Sequence, residues 1–157
     1  MPSKIVIDCA AALASKGLNI AFVESATAGR MCSEFAMSPD SGKILRGGIS
    51  CYEVFVKECI LDVPHGLVET YTPESAEVTR ALANGGVGLL KADITVAVTG
   101  LIAAGGSETK EKPVGTMFIH MVFPDKHVAH KDIFSGSPES IMLQTVDRAA
   151  QLIMENI

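Results

Sequence analysis

Short apolar runs alternate along this chain with segments whose apolar residues recur every three or four positions. This alternation predicts buried strands that alternate with amphipathic helices. The first helix is expected to begin after Ser3, whose hydroxyl can cap it, and to end at Gly17. The apolar run 18–23 follows directly and predicts the first strand.

The same patterns predict the remaining elements of the chain. Helices are expected at about 27–37, at 54–61, from Thr72-Pro73-Glu74 to about 91, and from Ser137-Pro138 onward, and strands at 47–52, 94–99, 114–123 and 127–134. The last two strands are separated by a short turn and should pair as a hairpin. This order indicates an α/β fold in which helices cover both faces of a mixed sheet.

One glycine-rich segment, Asn84-Gly85-Gly86-Val87-Gly88, has the composition of a phosphate-binding loop. It falls inside the helical pattern that begins near residue 72, where a loop is not expected. Close packing of the helix against a neighbouring element is therefore the favoured explanation for these glycines.

The length and composition of the chain limit its domain number, partners and location. With 157 residues, of which 48% are hydrophobic, it suits a single domain over residues 1–157. The net charge of -5 and the scattered basic residues argue against nucleic-acid binding. No apolar run approaches the roughly 20 residues of a membrane-spanning helix. Residues 1–4 lead into a helix rather than a signal peptide, so a cytoplasmic location without a membrane partner is expected.

Neither the cysteines nor the histidines form a metal-binding pattern. The four cysteines are far apart and include no C-x-x-C pair, which favours buried thiols over disulfides. The four histidines form no H-E-x-x-H motif. No metal and no cofactor are expected.

The segment Glu24-Ser25-Ala26-Thr27-Ala28-Gly29 lies where the first strand should give way to a helix. A side chain at such a junction faces the carboxyl edge of the sheet, where open α/β sheets bind their ligands. Ser25 is therefore a candidate nucleophile, beside the N–H groups that begin the helix. The alternative is that Ser25 or Thr27 only caps the helix, as serine and threonine often do.

Tyr52 and Lys57 follow the second strand and could reach the same edge as Ser25. A buried lysine can lose its charge near neutral pH and take the proton of a serine, which is the basis of a Ser/Lys dyad. The alternative is that Lys57 is a solvated surface charge. Thr99 and Gly100 end the central strand at this edge, where Gly100 could contact a ligand or simply form a turn.

Four segments of the chain together resemble one family. They are 24–29 (E-S-A-T-A-G), Tyr52 with Lys57, 97–100 (A-V-T-G) and 111–116 (E-K-P-V-G-T). Their order and spacing are similar to those of the C-terminal domain of the competence/damage-inducible protein CinA, and the resemblance covers nearly the whole chain. It implies a three-layer α/β/α sandwich with a mixed, mostly parallel sheet, in the stand-alone form of the domain.

The resemblance also implies an activity. Stand-alone members are nicotinamide mononucleotide amidohydrolases, which release ammonia and give nicotinate mononucleotide without a metal or cofactor. By motif, Ser25 would be the nucleophile and Lys57 its base, while Tyr52 and Thr99 would orient proton-carrying groups. The implied partners are a small-molecule mononucleotide and further copies of the chain in a homo-oligomer. The expected substrate-binding residues are Thr27, Gly29, Thr99, Gly100, Gly105, Gly106 and Lys112.

The chain departs from the family pattern in three places. The family's Y-S-N-E-A-K stands here as Y-E-V-F-V-K (52–57), and its G-I-A-G-P-G-G as G-L-I-A-A-G-G (100–106). Its F-S-G-D-R stands here as F-S-G-S-P (134–138), so Pro138 replaces an arginine that is expected to contact the substrate. Lys112 or the Gly105-Gly106 backbone would then bind the ribose phosphate. Two alternatives stay open: a binding or regulatory module without turnover, and a hydrolase of a different small amide.

Overall fold

The computed structural model describes all 157 residues and contains five strands and seven helices. In chain order these are α1 (Lys4–Lys16), β1 (Ile20–Glu24), α2 (Arg30–Ala36), α3 (Ser41–Ile44), β2 (Leu45–Ser50), α4 (Val54–Leu61), α5 (Leu67–Tyr71), α6 (Ala76–Leu90), β3 (Ile94–Gly100), β4 (Thr116–Val122), β5 (His127–Ile133) and α7 (Pro138–Asn156). None of the helices combines the length and the apolar character that a membrane crossing requires.

The five strands form one mixed sheet in the order β2-β1-β3-β4-β5. Strand β1 pairs in parallel with both β2 and β3, while β4 runs antiparallel to β3 and β5. The predicted hairpin of the last two strands is thus confirmed. Because β1, β2 and β3 are parallel, their carboxyl ends meet at one edge of the sheet, beside Glu24 and Ser50.

Helices cover both faces of this sheet, so the predicted α/β/α sandwich is confirmed. One core cluster unites α1, α2 and α7 with residues of β1, β3 and β4, including Phe22, Phe35 and Ile153. A smaller cluster on the opposite face joins α4, α5 and α6 to Val23 and Ala97. The alternation of side chains along each strand sends neighbouring residues into different clusters, which is why the central strands are apolar throughout.

Most element boundaries agree with the local sequence signals. Ser3 caps α1, Ser137 caps α7 ahead of Pro138, and Gly17 ends α1 in the left-handed conformation, all as predicted. Helix α4 covers the predicted residues 54–61, and each predicted strand is present within a few residues of its expected position. These boundaries follow from caps, prolines and apolar runs that act locally.

Three features of the helices differ from the predictions. Helix α6 is capped by Ser75 rather than Thr72, because Thr72 has a positive φ of 69° and stands outside the helix. Helix α2 begins at Arg30, later than the expected position near residue 27. The short helices α3 and α5 lie in segments for which no helix was predicted, since neither is long enough to show a helical apolar period.

The glycines of α6 allow the helix to pack closely against its neighbours, as predicted. A Cβ atom at Gly85 would lie 2.0 Å from the Leu61 carbonyl oxygen, and one at Gly86 would lie 2.5 Å from the Val23 side chain. At Gly88, in contrast, a Cβ atom would have no neighbour within 4 Å. Gly85 and Gly86 therefore set the distance of α6 from α4 and from the sheet.

Replacement of Gly85 with Ala is expected to lower the free energy of unfolding by about 2 kcal/mol, because the methyl group would overlap backbone that cannot move independently. The matched variant Gly88→Ala should leave stability unchanged or raise it by up to about 1 kcal/mol through helix propensity. Denaturant-induced unfolding of both variants measures the difference. Equal stabilities would contradict the close approach of α6 to α4.

Candidate active site

Lys57 and Ser25 form the centre of the candidate site. Ser25 follows β1, and Lys57 lies in the first turn of α4, which begins shortly after β2. Because β1 and β2 are parallel neighbours, their carboxyl ends bring both residues to one edge of the sheet. The Lys57 Nζ lies 3.1 Å from the Ser25 Oγ, so the approach that a Ser/Lys dyad requires is present.

Lys57 is fully buried, with 0% of its surface exposed, and is not a solvated surface charge. Its Nζ also donates hydrogen bonds to the carbonyl oxygens of Cys51 and Tyr52. Burial lowers the pKa of Lys57, while Cys51 and Glu74 act to raise it. Burial also raises the pKa of the Cys51 thiol to about 11, so the thiol is neutral near pH 7. The neutral form of the Lys57 amine is therefore favoured more than in water.

The carboxylate of Glu24 organises the turn that carries Ser25. Glu24 is the last residue of β1, is buried, and accepts hydrogen bonds from the Thr27 hydroxyl at 2.6 Å and the N–H of Gly29 at 3.1 Å. It also accepts from the first-turn N–H groups of α2, those of Met31 at 2.9 Å and Cys32 at 2.8 Å. Glu24 therefore caps α2 and delays its start, and neither Ser25 nor Thr27 acts as the cap.

Sequence reasoning missed the role of Glu24. The available signal was an acidic residue at the end of an apolar strand, followed by a glycine five positions later that can enter the left-handed conformation. Gly29 has a φ of 95° and Ala28 a φ of 48°, so two successive residues fold the chain back over the Glu24 carboxylate. An acidic side chain accepts more N–H groups than a serine or threonine hydroxyl at this position.

The capping arrangement leaves two N–H groups free beside the Ser25 hydroxyl. The N–H of Gly29 donates to Glu24, and the N–H of Ala28 donates to the Ser25 carbonyl oxygen at 3.2 Å. The N–H groups of Ala26 and Thr27 have no acceptor in the protein, although both residues are buried. Buried N–H groups without an acceptor are rare, and this pair follows the Ser25 side chain directly.

A cavity of about 260 Å³ opens above Ser25. Its walls come from the turn after β1, from Tyr52, from the segment before α6, and from the loop that follows β3. The lining residues are Ser25, Ala26, Tyr52, Pro73, Glu74, Gly100, Leu101, Ile102, Ala103, Ala104, Gly105 and Gly106. Ser25, Tyr52, Gly100, Gly105 and Gly106 are thus brought together as the sequence analysis expected.

The predicted residues Tyr52, Thr99 and Thr27 have different surroundings. Tyr52 is 69% exposed at the rim of the cavity, and its hydroxyl makes no hydrogen bond. Thr99 is buried, and its hydroxyl pairs with that of Thr79 on α6 at 2.8 Å. The Thr27 hydroxyl donates to Glu24. The side chains of Thr27 and Thr99 therefore support the walls of the site and do not line it.

The expected phosphate partners are already bound to other groups of the chain. The Lys112 Nζ donates to the Thr72 hydroxyl at 2.7 Å, to the Glu74 carbonyl oxygen at 2.9 Å and to the Ser107 hydroxyl at 2.8 Å. All three protons of the Lys112 ammonium group are thus used. The N–H of Gly105 donates to the Glu108 carboxylate at 2.8 Å. These hydrogen bonds stabilise the loop between β3 and β4. The sequence pattern alone does not indicate these contacts.

Comparison with known proteins identifies the family. The sequence profile of the CinA C-terminal domain matches residues 3–157. The chain belongs to the CinA C-terminal domain family. It is 37% identical over 130 residues to a CinA-like protein of Desulfotalea psychrophila, an alignment that covers 83% of this chain and 31% of that protein. A putative competence-damage inducible protein of Bacillus mycoides is 37% identical over 130 residues, covering 82% of this chain and 31% of that protein.

Solved structures of the CinA superfamily share the fold. The competence/damage inducible protein CihA from Agrobacterium tumefaciens superposes with a TM-score of 0.90 over 99% of this chain and 97% of that chain, at 22% identity. A CinA superfamily protein from Enterobacter cloacae gives a TM-score of 0.87 over 99% and 93% of the two chains, at 20% identity. The chain spans about a third of the length of the curated relatives that it matches, and 31% of the Desulfotalea psychrophila and Bacillus mycoides proteins named above.

Proposed function

We propose that this chain is an amidohydrolase that releases ammonia from a linear carboxamide of the nicotinamide type, with nicotinamide mononucleotide as the reference substrate. The hydrogen bonds of Lys57 carry the proposal. A neutral amine has two N–H donors and one lone pair. In the ammonium form, the third Lys57 proton is donated to the Ser25 Oγ at 3.1 Å. In the neutral form, the carbonyl oxygens of Cys51 and Tyr52 keep the two N–H donors, and the lone pair can then accept the proton of the Ser25 hydroxyl. That is the arrangement of a general base and its nucleophile.

The proposed reaction is acyl transfer in two halves. The Lys57 amine takes the proton of the Ser25 hydroxyl while the Ser25 Oγ attacks the carboxamide carbon. The resulting tetrahedral intermediate collapses as the carbon–nitrogen bond breaks, and the Lys57 ammonium gives its proton to the leaving nitrogen, which departs as ammonia. Water then attacks the Ser25 ester with Lys57 again as base. The acid product leaves, and Ser25 regains its proton from Lys57.

The N–H groups of Ala26 and Thr27 are the proposed oxyanion donors. Both lack an acceptor in the protein, and both follow the nucleophile directly. Donors that already point to the site where negative charge develops stabilise the transition state without reorganisation. Tyr52, at the rim of the cavity, would contact the substrate ring, while Thr99 would act through Thr79 by holding α6 to β3.

A direct test is incubation of the purified protein with nicotinamide mononucleotide while ammonia is measured. We expect ammonia release, an ester on Ser25 detectable by mass spectrometry after rapid quenching, and loss of both in Ser25→Ala. Ser33→Ala, which changes an exposed serine of α2, is the matched control and should behave as wild type. Binding without ammonia release, for this compound and for other small amides, would instead favour a regulatory module.

A further inference from the structure

The carboxylates at the cavity rim should influence which substrates the cavity can bind. Glu74 is the charged side chain among the lining residues. A second carboxylate, that of Glu108, lies on the other side of Gly106: a Cβ atom placed on Gly106 would be 3.8 Å from the Glu74 Oε1 and 3.7 Å from the Glu108 Oε2. The glycine loop of the cavity thus runs between two carboxylates.

Two cations of the segments around the cavity are already paired within the protein. The Lys112 ammonium group donates its three protons to the Thr72 hydroxyl, the Glu74 carbonyl oxygen and the Ser107 hydroxyl. The Ser107 hydroxyl in turn donates to the Glu74 carboxylate. Ser107 thus lies between the Lys112 ammonium group and the Glu74 carboxylate, which form no direct ion pair. At the start of α2, Arg30 is paired with the carboxylates of Glu34 at 2.7 Å and Glu139 at 3.1 Å.

In the glycine loop, the N–H of Gly105 is likewise already paired. Gly105 has a φ of 100°, and its N–H donates to the Glu108 Oε1 at 2.8 Å. Backbone hydrogen bonds in this loop lower the pKa of Glu108, and the bond from the Gly105 N–H has the largest effect. The Gly105 N–H, which could bind a phosphate in a glycine-rich loop, therefore already binds the Glu108 carboxylate.

We infer that the cavity selects a small carboxamide that carries no phosphate, with a neutral or cationic group toward Glu74. This inference rests on the proposed amide hydrolysis and narrows its substrate. A phosphate monoester carries a charge of roughly -1.5 to -2 near pH 7, and it would meet the carboxylates of Glu74 and Glu108, while the Lys112 ammonium group and the Gly105 N–H are already paired within the protein. A pyridinium ring, in contrast, carries the positive charge that Glu74 attracts.

Nicotinamide riboside and nicotinamide mononucleotide are a matched pair of probes, because they share the carboxamide, the pyridinium ring and the ribose and differ in the phosphate. Titration calorimetry with the Ser25→Ala protein measures the binding of each without turnover. We expect the riboside to bind at least about tenfold more tightly, since like charges disfavour the phosphate. Equal or tighter binding of the mononucleotide, or binding of neither compound, would overturn the inference.

The carboxylates are tested by substitution in the same Ser25→Ala protein. Glu74→Gln and Glu108→Gln should each shift the ratio of the two dissociation constants toward the mononucleotide by about threefold or more. Glu77→Gln removes the same charge from the exposed first turn of α6, outside the cavity lining, and should leave the ratio unchanged. A ratio that does not respond to Glu74 or Glu108, or that responds equally to Glu77, would contradict the inference.

Turnover by the unsubstituted protein separates this inference from the proposed function. Ammonia release with a higher kcat/KM for the riboside supports both. Ammonia release from neither compound, together with riboside-selective binding, refutes the proposed hydrolysis and supports the selectivity. A higher kcat/KM for the mononucleotide refutes the selectivity and leaves the hydrolysis in place.

Discussion

Replacement of Lys57 with Met is expected to reduce ammonia release by about a thousandfold or more, because the variant has no base for the Ser25 proton. Met matches the length of the buried part of the lysine side chain and is suited to the apolar surroundings of α4. It cannot donate to the carbonyl oxygens of Cys51 and Tyr52, so some loss of stability is expected as well.

The measurement is ammonia release per enzyme at a temperature where circular dichroism shows the variant to be folded. Lys43→Met is the matched control, since Lys43 is an exposed lysine of α3 whose partner is Asp40. The control should retain full activity. A folded Lys57→Met protein that hydrolyses the amide at the wild-type rate would exclude Lys57 as the base, whatever the role of Ser25.

The Lys57 amine should also determine how kcat/KM falls toward low pH. The active form of Lys57 is neutral, so kcat/KM should rise with pH through the pKa of Lys57, and burial places that pKa below the ordinary value of 10.5. The Glu74 carboxylate raises the pKa of Lys57. Glu74→Gln should therefore move the rising limb toward lower pH, while Glu77→Gln should leave it in place. A limb that does not respond to Glu74 would argue that another group titrates.

The sequence predicts much of the fold because its boundaries are set locally. Ser3 and Ser137 cap their helices through their own hydroxyls, and the short run 94–99 is rich in β-branched residues, which favours a strand buried on both faces. The start of α2 could not be predicted in this way. It depends on the buried carboxylate of Glu24, and only the tertiary structure shows that this side chain turns toward α2 rather than toward solvent.

The same distinction applies to the site. Ser25 and Lys57 could be paired from the sequence, because each follows a parallel strand and such strands end at one edge. The surroundings of Lys112 and Gly105 could not be predicted, since they depend on how the loop between β3 and β4 folds against the segment before α6. A lysine and a glycine in a loop suggest a phosphate site by composition, but their protons are already used within the protein.

Glu24→Gln is expected to lower the free energy of unfolding by about 3 kcal/mol and to reduce ammonia release at least about tenfold. The carboxylate accepts four hydrogen bonds in a buried position, and an amide in its place would turn an NH₂ group toward N–H donors. The substitution should also disturb the position of Ser25, because these contacts hold the turn from Ala26 to Gly29 in place.

Glu34→Gln provides the matched control for this prediction. Glu34 is a buried acid one turn along α2, but it pairs with the Arg30 side chain and accepts none of the N–H groups of the turn. Its replacement removes one charged hydrogen bond rather than four, so it should cost about 1.5 kcal/mol and leave ammonia release near the wild-type value. Thermal unfolding and single-turnover kinetics of the two variants distinguish the roles. If Glu24→Gln loses stability but a folded sample keeps full activity, Glu24 caps α2 without positioning the nucleophile.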